Sequence, residues 1–221
     1  MLSKILGWSL GLLLIPIDVG YAIAFSDQLF ALREVRAPEL HFLLGITAYL
    51  AFHVLIAPPT RAYVFGHEMM HAAATWISGG QVKGFKVGSK KGAVTTNKVT
   101  AFIALAPYLI PVYAVLWAFG FGAASLFWNT TRWTSWFFFG LGAALAFHLV
   151  FTVDVLKQKQ SDLEITGPLL ALALIFFGNL ALIIGAMSLV VPEIQFLPYL
   201  GQGYHHSLGL YQAIFHQLFV Q

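Results

Sequence analysis

Six apolar runs dominate this 221-residue chain, at about 5–25, 40–57, 62–78, 99–127, 133–156 and 165–191. The first is long enough to cross a hydrocarbon core of about 30 Å as a helix, and none of the others falls below the about 17 residues at which spans begin. Composition agrees: apolar residues make up 59% and charged residues only 10%, against about 25% charged in ordinary soluble domains. The 20 Phe and 6 Trp suit lipid-facing surfaces and interfacial belts. The expected fold is an all-α polytopic membrane protein of about six transmembrane helices. Cysteine is absent, which excludes disulfides, thiolate ligands and a Cys nucleophile. Lys4 precedes the first run, but Asp18 lies within it and no small-residue cleavage site is evident. A retained first span is therefore expected rather than a cleaved leader.

The third run holds Gly66-His67-Glu68-Met69-Met70-His71-Ala72, which contains H-E-x-x-H. On a helix, residues four apart share a face. His67 and His71 can thus aim two imidazoles at one Zn2+, and Glu68 can act as general base on the attacking water. Two histidines and a carboxylate are costly within an apolar run and usually mark function there. Gly79-Gly80 ends the run, as helix ends commonly do. His71 lies eight residues earlier, about 12 Å along a helix, so the metal is expected below the membrane surface.

Residues 81–96 read as a short β-hairpin-like loop. Val82, Phe85 and Val87, then Ala93-Val94-Thr95-Thr96, flank Gly88-Ser89-Lys90-Lys91-Gly92. Lys83, Lys86, Lys90, Lys91 and Lys98 make the loop basic, fit for lipid headgroups. A strand edge here could also pair with an extended substrate, and Gly79, Gly80, Val94 and Thr95 are the expected substrate-binding positions. With six spans, Lys4, Arg61 and Arg132 share one side. Arg33, Arg36, the five lysines, Lys157 and Lys159 share the other. The positive-inside rule then places the 81–98 loop in the cytoplasm.

Catalytic zinc usually takes three protein ligands. Asp154, Asp162, Glu164 and His148 are the candidates for the third, and spacing does not decide between Asp154 and Asp162. Ser161-x-x-Glu164 also matches a helix capping box. Asp18 is read as a hydrogen-bonding residue near Pro16. His53 is read as a packing histidine. The fourth run, with Pro107 and Pro111 inside, is expected to be kinked, tilted or broken. The tail after Pro192 is expected to be irregular chain followed by a helix near Leu208–Val220.

Taken together, Gly66–Ala72, Ser78-Gly79-Gly80, Gly92–Thr96, Val153-Asp154 and Gln160-Ser161-Asp162-Leu163 resemble the site-2-protease-type intramembrane zinc metalloproteases, in the compact branch without a PDZ domain. The likeness covers roughly residues 62–190. It implies a metalloprotease-like core at 62–190 within one membrane-embedded domain of residues 1–221, with two additional spans at 1–61 and an aromatic tail at 192–221. It further implies zinc held by two His and one Asp, a glutamate base, and cleavage of transmembrane segments. A Ser-Asp pair occurs in that branch where Ser161-Asp162 stands, which favours Asp162 over Asp154. The L-D-G element of the main branch is absent here.

The implied partners are a membrane-protein substrate and the lipid bilayer, with no nucleic acid, in a bacterial-type plasma membrane. Two rival functions remain at this level. One is a non-proteolytic metal protein or metal transporter using His41, His53, His148, His205, His206 and His216. The other is a membrane protease with a site at the membrane surface and Glu164 as third ligand.

Overall fold

The computed structural model describes residues 2–30, 32 and 35–220. Arg33, which enters the charge count above, lies outside the described residues. Among these residues the chain is mostly helical. The elements are α1 (Leu2–Phe30), α2 (Ala37–Leu55), α3 (Thr60–Ile77), β1 (Val82–Val87), β2 (Gly92–Thr96), α4 (Ala101–Leu109), α5 (Val112–Ser125), α6 (Thr134–Leu156), α7 (Ser161–Thr166), α8 (Pro168–Ser188) and α9 (Phe196–Phe219).

Four helical stretches are long and apolar enough to cross a membrane: Ile5–Phe30, Ala37–Leu55, Thr131–Leu156 and Pro168–Ser188. A fifth candidate is the pair α4 and α5, bent by 68° at the break between them. The chain is thus a multi-pass membrane protein by length and composition. The motif run, α3, accounts for the difference from six. Arg61, His67, Glu68 and His71 make it too polar to qualify.

The described residues gather into two compact units, 36–165 and 1–35 with 166–221. In the first, α2 packs along α6, α3 along α4, and α5 along α6. Lipid supplies little hydrophobic drive between helices, so close backbone approach matters. Gly45 of α2 lies against the Phe139 carbonyl of α6, and Gly142 of α6 against the Phe42 carbonyl of α2; a Cβ at either would collide with that backbone. Gly66, just before the first motif histidine, admits α5: a Cβ there would lie 2.8 Å from the Tyr113 ring.

The hairpin forms as read. β1 and β2 pair antiparallel, with Phe85 opposite Val94 and a bulge between Val82 and Gly84. Gly88 N–H donates to the Lys91 carbonyl (2.8 Å) to close the turn. At the end of α3, Gly79 adopts the left-handed region (φ +72°). Its N–H donates to the Trp76 carbonyl and that of Gly80 to the Thr75 carbonyl. These bonds satisfy carbonyls left over at the helix end and turn the chain back as the hairpin. The Phe65 and Phe85 rings meet edge to face, 6.2 Å apart, and join the hairpin to the motif helix.

In the second unit α1 packs on α8 and α9. Asp18 sits within α1 as a continuous helix through Pro16. The tail departs from expectation in part: it ends in a helix as expected, but α9 begins at Phe196 rather than near Leu208 and runs for 24 residues. Its buried positions are Tyr199, Gly203 and Ser207, four apart and therefore on one face. Ser207 donates within this unit to the Gly203 carbonyl (2.6 Å), and Tyr21 donates to the Leu200 carbonyl (3.1 Å). Hydropathy misses such a face because it is built from small and amphipathic residues.

The α2–α6 approach gives a stability prediction. Gly45→Leu should destabilise the fold by about 1–3 kcal/mol, the range for overpacking. Gly120→Ala, at a position with open space around the missing Cβ, should change it by less than about 1 kcal/mol. Thermal unfolding in detergent compares the two.

Candidate metal centre

Helical spacing sets the first half of the site. Tyr63, His67 and His71 of α3 follow one another at intervals of four, so their side chains rise on one face. α7, a single short helix beginning at Ser161, brings Asp162 to that face. The ligand atoms of His67, His71 and Asp162 all lie within 4.8 Å of one another. His71 Nε2 is 3.2 Å from His67 Nε2. Asp162 Oδ2 is 3.5 Å from the first and 3.4 Å from the second of the pair His67 and His71. Four-coordinate zinc with bonds of about 2.0–2.1 Å has ligand–ligand edges of about 3.3–3.4 Å. The three atoms therefore match one face of such a tetrahedron, and this group could hold a metal ion.

Proton placement strengthens the fit. His71 Nδ1 lies 2.8 Å from the Ile103 carbonyl, which can only accept, so Nδ1 carries the proton. The neutral ring then turns a bare Nε2 lone pair toward His67 and Asp162. His67 Nδ1 is held by the Tyr63 hydroxyl at 3.0 Å. Fixing the outer ring nitrogen in this way orients metal-ligating histidines generally. Tyr108, fully buried, donates to Asp162 Oδ2 at 3.0 Å. Burial pushes the Asp162 carboxyl up, but the polar groups around it, the donating Tyr108 hydroxyl among them, outweigh it and hold the group below the usual carboxylate range. Asp162 is thus ionised at neutral pH, the form a metal requires.

Glu68 is 7% exposed and lies against β2. A Cβ on Gly92 would come within 2.7 Å of Glu68 Oε1, so only glycine leaves the carboxylate its room. Two clefts meet here. One, of about 340 Å³, is lined by His67, Glu68, His71, Val94, Thr96 and Asp162 among others. The other, of about 550 Å³, runs past His67, Glu68 and Gly92 to His53, Asp154 and Lys159.

The remaining expected residues lie as follows. Asp154 accepts from Lys157 (2.8 Å) and faces His53 Nε2 at 3.5 Å; it is not part of the converging group. Glu164 pairs with Lys159 at 3.4 Å. His148 is buried on α6 and lines a small cavity beside His67. Val94 faces the smaller cleft, while Thr95 is exposed. Gly79 and Gly80 form the helix end described above. His53 contacts Tyr49 and Asp154 in the larger cleft. Sequence reading did not anticipate Tyr63, Gly92, Ile103 or Tyr108. Tyr63 had a signal, being one turn before His67 on the same face. Gly92 was read only as part of the hairpin turn and the Gly92–Thr96 stretch, and Ile103 and Tyr108, on α4, carried no signal.

The chain was compared with protein-family models, curated proteins and solved structures, and matches none.

Two substitutions test the centre. Asp162→Ala should weaken zinc binding at least tenfold, since a ligand is lost. Asp154→Ala should leave it within about threefold. Competition with a chromogenic chelator reads both.

Proposed function

We propose that this protein is an intramembrane zinc metallopeptidase that hydrolyses peptide bonds in or near transmembrane segments of other membrane proteins. The observation that carries this proposal is the junction at α3. There a tetrahedral face of two imidazoles and one carboxylate stands beside a second, buried carboxylate, Glu68, where two clefts meet. A binding or transport site has no need of Glu68; hydrolysis does.

Two His and one Asp, with no Cys in the chain, form a borderline N/O donor set suited to Zn2+. Zinc held by His67, His71 and Asp162 would supply Lewis acidity toward the scissile carbonyl and toward water. Glu68 takes the proton of the attacking water and passes it to the leaving amine. Tyr63 and the Ile103 carbonyl fix the two imidazoles, and Tyr108 fixes Asp162. Gly92 keeps the space in which the Glu68 carboxylate moves its proton.

A transmembrane helix hides its carbonyls in its own hydrogen bonds, so the substrate must unwind locally. β2 belongs to a two-stranded sheet, which leaves it one edge without a strand partner among the described residues. An extended substrate segment pairing with that edge runs past Val94 and Thr96 into the smaller cleft. In this proposal α3 and the bent α4–α5 pair each complete a crossing, giving six. The lysines of the hairpin then face the cytoplasm of a bacterial-type plasma membrane.

Glu68→Gln keeps the ligands and removes the base. Purified into vesicles with a labelled transmembrane peptide, it should cleave about 10²–10⁴-fold more slowly and bind zinc as the parent does. Undiminished cleavage would discard the assigned role. Zinc flux across the vesicles that is untouched by this substitution would favour a transporter instead.

Gly92→Val should have the same signature, zinc retained and cleavage lost. A Cβ at this position falls on the Glu68 side chain, to which the three nearest atoms all belong. Retained cleavage in this variant would show that Glu68 works from another position.

A further inference from the structure

We infer that Pro107 is a positioning residue for the metal centre: by lacking an N–H, it releases the Ile103 carbonyl to orient His71. The inference rests on the proposed metal site. It concerns how that site is built, and not what it cleaves.

In an α-helix the carbonyl of residue i accepts from the N–H of residue i+4. For Ile103 that donor would be residue 107, and residue 107 is proline. α4 is helical on both sides of the gap. Ala104 N–H donates to the Thr100 carbonyl (3.0 Å), and Ile110 N–H to that of Ala106 (2.9 Å). A proline in this position has a second effect, because its ring crowds the carbonyl four residues back and tilts it away from the helix axis. The carbonyl so released is the one that His71 Nδ1 meets at 2.8 Å.

Ile103 and Pro107 are both buried, and where Ile103 borders the smaller cleft its carbonyl is met by His71. A buried acceptor without a donor is costly. His71 supplies that donor, and its ring is thereby fixed with Nδ1–H outward and Nε2 toward His67 and Asp162. One missing N–H on α4 thus selects the tautomer of a ligand on α3. The adjacent residue, Tyr108, holds Asp162, so the same turn of α4 secures ligands from two other elements.

Pro107→Ala restores the N–H and lets Ile103 return to the helical ladder. The full-length protein in detergent, titrated with Co2+ as a spectroscopic stand-in for zinc, should bind the metal about 10–100-fold more weakly, the usual cost of losing a group that orients a ligand. The paramagnetically shifted Nδ1–H proton of His71 should move and exchange faster with solvent. An α-hydroxy acid incorporated at position 107 has neither ring nor N–H; it should return both affinity and proton signal to the parent values. Pro16→Ala, at a helix-interior proline of α1, controls for general effects of proline removal and should leave both readings unchanged.

Parent-like cobalt affinity and an unchanged His71 proton in Pro107→Ala would overturn the inference while leaving the peptidase proposal intact. So would failure of the hydroxy acid to restore them. A parent protein that binds no cobalt would instead overturn the metal site on which both depend.

Discussion

Three atoms that bear lone pairs, His67 Nε2, His71 Nε2 and Asp162 Oδ2, stand 3.2–3.5 Å apart. They repel unless positive charge lies among them. In a buried setting that repulsion is weakly screened, and the scaffold must be strong enough to hold the atoms together. Much of the motif-bearing unit serves this end. α3 supplies the imidazoles, α4 fixes one of them and the aspartate, and α7 delivers that aspartate. The outward nitrogens and Asp162 all have partners, so the inward-facing atoms have little freedom to turn away.

The scaffold achieves this with glycine and proline as much as with apolar bulk. Gly45 and Gly142 let α2 and α6 touch backbone to backbone. Gly66 brings α5 against the motif helix, and Gly92 leaves space for Glu68. Proline breaks the fourth run into α4 and α5 at a 68° bend. The bend allows α4 to pack beside α3 with the Ile103 carbonyl turned to His71. In a lipid setting, where apolar surface alone does little to sort helices, such backbone-level devices decide which faces meet.

Much of this was legible from the residues. The helical class, the hairpin at 81–96, the helix end at Gly79-Gly80 and the break in the fourth run follow from run length, turn residues and proline. The pairing of His67 with His71 follows from helical periodicity. The span count was less legible. A helix that carries two histidines, an arginine and a glutamate does not score as apolar, yet it can be shielded by its neighbours. The start of the tail helix was less legible for a related reason: α9 buries Tyr199, Gly203 and Ser207, a face that packs by shape and carries little hydropathy.

What the sequence determined by itself is local: an imidazole pair with a carboxylate beside it, on a helix that ends in glycine and leads into a basic hairpin. Periodicity and turn chemistry act over a few residues, and a single chain displays them in full. Tertiary structure decided which acidic residue joins the pair. Asp154 and Asp162 lie eight positions apart with similar local signals, and only packing separates them. Asp154 is drawn to Lys157 and His53, whereas α7 turns Asp162 toward the imidazoles. Pro107 shows the same division. Its missing N–H is fixed by the chemistry of the residue, but the donor that answers the freed carbonyl comes from a helix more than thirty residues away in the chain.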